Sequence, residues 1–250
     1  YLHAATLLHD DVVDAADVRR GKKAAHTKWS APQVVLTGDF LLARALNIAA
    51  RTRSPEIIQV IARITQEMSQ GEIDQMNKKG RLDLTEAEYF AVIEKKTAVL
   101  IQGACKSGAI LANAPASARH SLSTYGYHIG MAFQMADDLL DYTATAAQLG
   151  KNPGADIREG KLTLPLIHSL ANASDTDRKW MEAVIASPEF DPDRFEALKE
   201  KLYACQGISF TIDLAQKHVA DAKACLAEFK ASPSRTLLER IADYSIERKV

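Results

Sequence analysis

Only three cysteines, Cys105, Cys205 and Cys225, occur in the 250 residues. So sparse and odd a set, lying in helical patterns, excludes a disulfide framework or a zinc site and points to buried, reduced thiols in a cytoplasmic protein. Net charge is equally scarce: 31 Lys and Arg face 32 Asp and Glu, leaving −1 at pH 7. Nothing global attracts nucleic acid, so any anion site must come from local clustering. No apolar run approaches a membrane span, no signal peptide precedes the first motif, and no transmembrane segment is expected. Strand-period alternation and Asn-Gly hairpin turns are missing. Glu-x-x-His pairs, which a di-iron bundle needs on facing helices, are missing too.

Helices account for what is present. Ser30 with Pro32, Ser54 with Pro55, Asp191 with Pro192 and Ser232 with Pro233 each place a capping residue before a proline tolerated in a first helical turn. Thr85 with Glu88 forms a capping box, followed by Phe90, Ile93, Thr97, Leu100, Ala104, Gly108 and Leu111 at steps of three and four, which make one buried stripe. The pattern predicts one all-α domain with helices near 1–14, 32–52, 55–78, 86–113, 116–144, 163–172, 176–186, 192–205, 208–230 and 234–248. The chain opens at Tyr1 inside an apolar helical pattern with neither Met nor cap, so N-terminal helices are expected upstream.

One acidic pattern is written twice, as Asp10-Asp11-Val12-Val13-Asp14 and as Asp137-Asp138-Leu139-Leu140-Asp141. Residues four apart share a helix face, so each copy makes a carboxylate cluster, and the two clusters can face each other across a bundle. Flanking Leu7, Leu8, Met135 and Ala136 make these core-forming helices, where unpaired carboxylates are costly and require a cation. Oxygen donors in this number suit Mg²⁺, which takes a few carboxylates together with water and substrate phosphate.

The two long non-helical stretches, 15–31 and 145–162, each follow a cluster and are basic. The first carries Arg19, Arg20, Lys22 and Lys23, and the second carries Lys151, Arg158 and Lys161. Cations beside metal-binding carboxylates fit a polyanion, and a diphosphate fits best.

These motifs, with Gly38-Asp39, Gln70-Gly71-Glu72, Lys96-Thr97, Phe133-Gln134 and the run from Lys151 to Pro165, resemble the trans-isoprenyl diphosphate synthases, or polyprenyl synthetases, over nearly the whole chain. The resemblance implies a helical bundle of the isoprenoid synthase type around a central cavity. It implies that Asp10, Asp14 and Asp137 ligate Mg²⁺ on an allylic diphosphate, with Asp11, Asp138 and Asp141 supporting them directly or through water. Arg19, Lys96 and Lys151 would contact that diphosphate, Arg20 would bind isopentenyl diphosphate, and Lys161 would help close the site. Thr97 and Gln134 would line the reaction centre, where a role as satisfied core polar residues is an equal alternative. The family's glycine-lysine-arginine segment for isopentenyl diphosphate lies upstream of its first aspartate cluster and is absent from this sequence.

In the family, the residues four and five before the first Asp sit under the growing chain. Here they are Thr6 and Ala5, small enough to imply a product longer than geranylgeranyl, in the range of quinone side chains. The resemblance further implies a homodimer through helices such as those at 32–78 and transient membrane contact for product release. The alternatives are a short-chain (farnesyl or geranylgeranyl) synthase, a non-catalytic subunit of a heteromeric prenyl synthase, and a terpene cyclase. Both intact clusters count against the second, and Asp137, Asp138 and Asp141 against the third.

Overall fold

The computed structural model describes residues 1–19, 21–144 and 154–247. Twelve α-helices follow one another among them: α1 (Leu2–Val13), α2 (Ala31–Arg51), α3 (Pro55–Lys78), α4 (Glu86–Ile93), α5 (Val99–Leu111), α6 (Ala116–Thr143), α7 (Ala155–Arg158), α8 (Leu164–Asn172), α9 (Asp175–Ile185), α10 (Pro192–Ala204), α11 (Gly207–Cys225) and α12 (Pro233–Tyr244). The expected caps start them. Ser54 Oγ accepts from Ile57 N at 3.3 Å, Asp191 Oδ1 from Asp193 N at 2.9 Å and Ser232 Oγ from Arg235 N at 3.2 Å. Thr85 and Glu88 close their box with bonds of 3.0 and 3.2 Å, and Gln33 Oε1 accepts from Ser30 N at 3.0 Å.

Several expectations need correction. Neither long stretch is free of regular structure: in 15–31, β1 (Val18–Arg19) pairs antiparallel with β2 (Lys22–Lys23) and a 3₁₀ turn follows at Ala25–Thr27, and the stretch expected to be non-helical at 145–162 contains α7 (Ala155–Arg158). The helix expected at 86–113 is interrupted by a π-helical segment, Glu94–Ala98, and the stripe expected to be buried does not survive it: Ala104, Gly108 and Leu111 are exposed, while Val99, Gly103, Ala109 and Ile110 are buried. The three thiols are half-buried, not buried. Finally, α2 is 21 residues long and by length and composition alone could cross a membrane; 17% of its apolar stretch is buried. Leu36 and Phe40, each 66% exposed, lie on its outer face.

The long helix α6 forms the axis, with Ile129, Met131, Ala132, Met135 and Leu139 buried against α4, α5, α8 and α11. Two close approaches then fix the active end of the bundle. A Cβ on Gly130 would lie 2.4 Å from Ala98 Cα, and one on Gly71 would lie 2.7 Å from Lys96 N, so α6 and α3 both press against the π-helical segment. Lys96 and Thr97, which lie on that segment, are thereby set between α3 and α6.

Candidate active site

The first acidic cluster ends α1, and each of its aspartates has a different neighbour. Asp11 is 3% exposed and takes the Nε–H of Arg19, presented by β1, on Oδ1. Asp14 accepts Lys79 Nζ on Oδ1 at 3.1 Å and Lys161 Nζ on Oδ2 at 3.3 Å. Burial pushes its acidity one way, but the lysines prevail and hold the carboxyl below the usual range. Asp10 behaves oppositely: burial, with Glu72 and Asp14 nearby, pushes it up to about 6 despite Lys96 and Arg19. Lys96 Nζ is itself paired with Glu72 Oε2 at 2.6 Å, while Glu72 Oε1 and Gln75 Nε2 are buried with no hydrogen-bond partner among the described residues.

The second cluster lies on α6. Gln134 accepts from Thr97 Oγ1 at 2.7 Å and donates from Nε2 to Asp138 Oδ1 at 2.8 Å; Tyr89 of α4 donates to Asp138 Oδ2 at 2.6 Å. Burial, reinforced by Asp137 and Asp141, pushes Asp138 up to about 7 against those two hydrogen bonds. Asp141 is fully buried and accepts the backbone N–H groups of Ala155 and Asp156, both at 3.1 Å. Its carboxylate thus anchors the first turn of α7. Asp137 alone of the three is exposed.

Two bridges join the clusters. One runs from Asp10 by the nearby charge of Lys96, and from Lys96 through Thr97 to Gln134; the other runs from Asp14 through Lys161, whose N–H bonds Asp156 O at 2.8 Å, to the turn that Asp141 anchors. Arg20 and Lys151 lie outside the described residues. Ala5 is 1% exposed, a little more than one turn before Asp10, and Thr6 donates to His3 O at 2.9 Å. A separate open groove of about 590 Å³, lined by Glu56, Lys106, Arg119 and His120 among others, contains none of these residues.

Sequence reasoning assigned no role to Lys79, Tyr89 or Gln75, and quoted Glu72 only as part of a motif. Lys79 carried a faint signal, a Lys-Lys-Gly run ending a helix, whereas Tyr89 reads as an ordinary core aromatic.

Residues 1–202 match the polyprenyl synthetase family model. The chain belongs to the polyprenyl synthetase family. It is 35% identical to octaprenyl diphosphate synthase of Escherichia coli K12 over 99% of this chain and 76% of that protein. It is likewise 35% identical to geranylgeranyl diphosphate synthase of Methanosarcina mazei, again over 99% and 76%. A crystal structure of a polyprenyl synthase from Caulobacter crescentus CB15, complexed with calcium and isoprenyl diphosphate, superposes with a TM-score of 0.93 at 40% identity, covering 100% of this chain and 76% of that one. As a polyprenyl synthetase, the protein is an all-α prenyltransferase.

The donor set of this polyprenyl synthetase fits a hard divalent cation. Among the described residues no three acidic, histidine or cysteine side chains converge on one point. Mg²⁺ does not need them, because it is held through one or two carboxylates while retaining water and phosphate oxygens. Asp10, the Glu72 Oε1 beside it, which has no hydrogen-bond partner among the described residues, and the exposed Asp137 supply such oxygens.

Proposed function

We propose that the protein is a Mg²⁺-dependent prenyltransferase that condenses isopentenyl diphosphate with an allylic diphosphate to give a medium- or long-chain trans-polyprenyl diphosphate. The observation that carries this reading is that Lys161 joins Asp14 of one acidic helix to the turn held by Asp141 of the other, while the charge of Lys96 acts on Asp10, its neighbour Thr97 bonds Gln134, and Arg19 pairs with Asp11. Asp10, Asp14 and Asp137 would hold the metal ions, which neutralise the departing diphosphate when bound. Arg19, Lys96, Lys151 and Lys161 add fixed positive charge to that leaving group, and Arg20 binds the diphosphate of isopentenyl diphosphate. The allylic C–O bond breaks with its electron pair going to the diphosphate. The double bond of isopentenyl diphosphate then attacks the carbocation, and a proton passes to the released diphosphate. Thr97 and Gln134, tied to each other and to Asp138, present fixed dipoles along this path, and no protein nucleophile is required.

Asp138 and Asp141 act mainly by construction, since Tyr89, Gln134 and the α7 backbone engage their oxygens. Relatives of equal identity carry names of different product length, so the wall of the growing chain decides. Small Ala5 and Thr6 support a long product. Ala5→Phe is expected to shorten it on chromatography, and an unchanged length would remove this wall from control. The outer face of α2, with Leu36 and Phe40, suits a second copy of the chain better than lipid, because Asp39 and Arg44 interrupt the same helix. The free thiols suit the cytoplasm, with transient membrane contact as product leaves.

The test incubates full-length protein with Mg²⁺, radiolabelled isopentenyl diphosphate and either farnesyl or geranylgeranyl diphosphate. Elongated product is expected, and its absence would favour a non-catalytic subunit.

A further inference from the structure

The lysine that ends α3 belongs to none of the roles above. Lys79 follows the last residue of α3 and points its ammonium at Asp14 Oδ1, 3.1 Å away, while Lys161 takes the other oxygen of the same carboxylate at 3.3 Å. The two lysines come from segments some eighty positions apart, yet they are tied together by backbone. Gly80, directly after Lys79, donates its N–H to the carbonyl of Gly160, directly before Lys161, at 2.8 Å. Both glycines adopt positive φ, +79° and +71°, which L side chains rarely accept. The clasp therefore fixes two ammonium groups side by side on one carboxylate.

The two are held unequally. Lys161 also pairs with Glu159 and its side chain is 16% exposed; Lys79 has Asp14 as its one ion-pair partner among the described residues, with a side chain 30% exposed. On the function proposed above, Asp14 would give its oxygens to a metal ion that accompanies the diphosphate. Lys161 then keeps Glu159, whereas Lys79 loses its ion-pair partner, and a partly buried ammonium left unpaired is costly. The anion arriving at that place is the diphosphate. A flexible four-carbon stem ending in a point charge can follow it without a fixed fork geometry.

We propose that Lys79 is a further diphosphate-binding residue, which transfers with its clasp partner Lys161 from Asp14 to the allylic diphosphate. It is a substrate-binding group of the same rank as Lys161, contributed by the end of α3. This inference rests on the proposed prenyl transfer for its substrate and on the Asp14–Lys79–Lys161 geometry for its residue.

Two readouts on the full-length protein separate the claims. The first is KM for each substrate at saturating Mg²⁺ in the wild type, Lys79→Gln and Lys79→Arg. The second is calorimetric binding of pyrophosphate with Mg²⁺ to the same three proteins. Lys79→Gln is expected to raise KM for the allylic diphosphate about tenfold, as loss of one charge-assisted hydrogen bond implies, while KM for isopentenyl diphosphate stays within about twofold. Lys79→Arg should recover most of the loss, and pyrophosphate affinity should fall in parallel in Lys79→Gln. An allylic KM within about twofold of the wild type, or an equal rise in both KM values, would overturn the proposal. A wild type that elongates nothing would refute the prenyl transfer instead; pyrophosphate binding unchanged in Lys79→Gln would still refute the role of Lys79.

Discussion

The two acidic motifs share one spelling and have different surroundings. At the end of α1, Asp10 and Asp14 face ammonium groups of Lys96, Lys79 and Lys161, which can re-pair when another anion arrives. On α6, Asp138 and Asp141 face Tyr89, Gln134 and two backbone N–H groups, which cannot move away without unmaking the fold. A repeated sequence pattern therefore gives one cluster that is available to a ligand and one in which two of three carboxylates hold the architecture in place. What an aspartate does is decided by the partner that packing brings to it.

The comparison breaks most visibly in activity. Asp10→Asn should lower kcat/KM by about two to three orders of magnitude, the usual loss for one electrostatic stabiliser of a developing anion, without lowering the melting temperature. Steady-state kinetics beside a thermal melt check it; a destabilised Asp10→Asn protein would mean that α1 too uses its acids structurally.

Asp141→Ala should show the converse emphasis. Removing the carboxylate leaves two partly buried N–H groups without an acceptor, at about 1–3 kcal/mol each when buried, so roughly 3 kcal/mol and a fall of about 6–12 °C in melting temperature are expected. A variant melting like the wild type would free Asp141 for the metal after all.

A smaller effect sharpens the contrast within α6. Asp138 titrates near 7 in the folded protein against an ordinary 3.8, so between those values the folded state binds more protons than the unfolded one. Stability from this group is full below about pH 4 and declines as pH rises toward 7. Asp138→Asn, which keeps the size and can still accept from Tyr89, should flatten that decline in urea melts across the window. A profile as steep as that of the wild type would show that the carboxyl is not the source.

Local features were legible in the sequence and long-range ones were not. Ser54, Thr85, Asp191 and Ser232 announced their helices because a cap bonds within three residues. Both acidic motifs, Lys96, Thr97 and Gln134 were legible as candidates. That Thr97 bonds Gln134, 37 residues away, could not be read, because it depends on Gly130 letting α6 approach Ala98. The π-helical segment escaped because Phe90 to Leu111 can be written as one three-and-four period, whereas the wider turn at Glu94–Ala98 shifts the buried face of α5 to Val99, Gly103, Ala109 and Ile110. Lys79 and Tyr89 escaped because their partners, Asp14 and Asp138, lie 65 and 49 residues away. Asp141 was read from its spelling as a metal neighbour, whereas the α7 backbone that occupies it carries no side-chain signature.

The most direct measurement is a crystal structure with Mn²⁺ and pyrophosphate, the metal being located by its anomalous scattering. Peaks within bonding distance of Asp10 or Asp14 and of Asp137, bridged by one pyrophosphate, are the predicted result. Metal bound at Asp138 and Asp141, or at only one of the two helices with no shared pyrophosphate, would contradict the account.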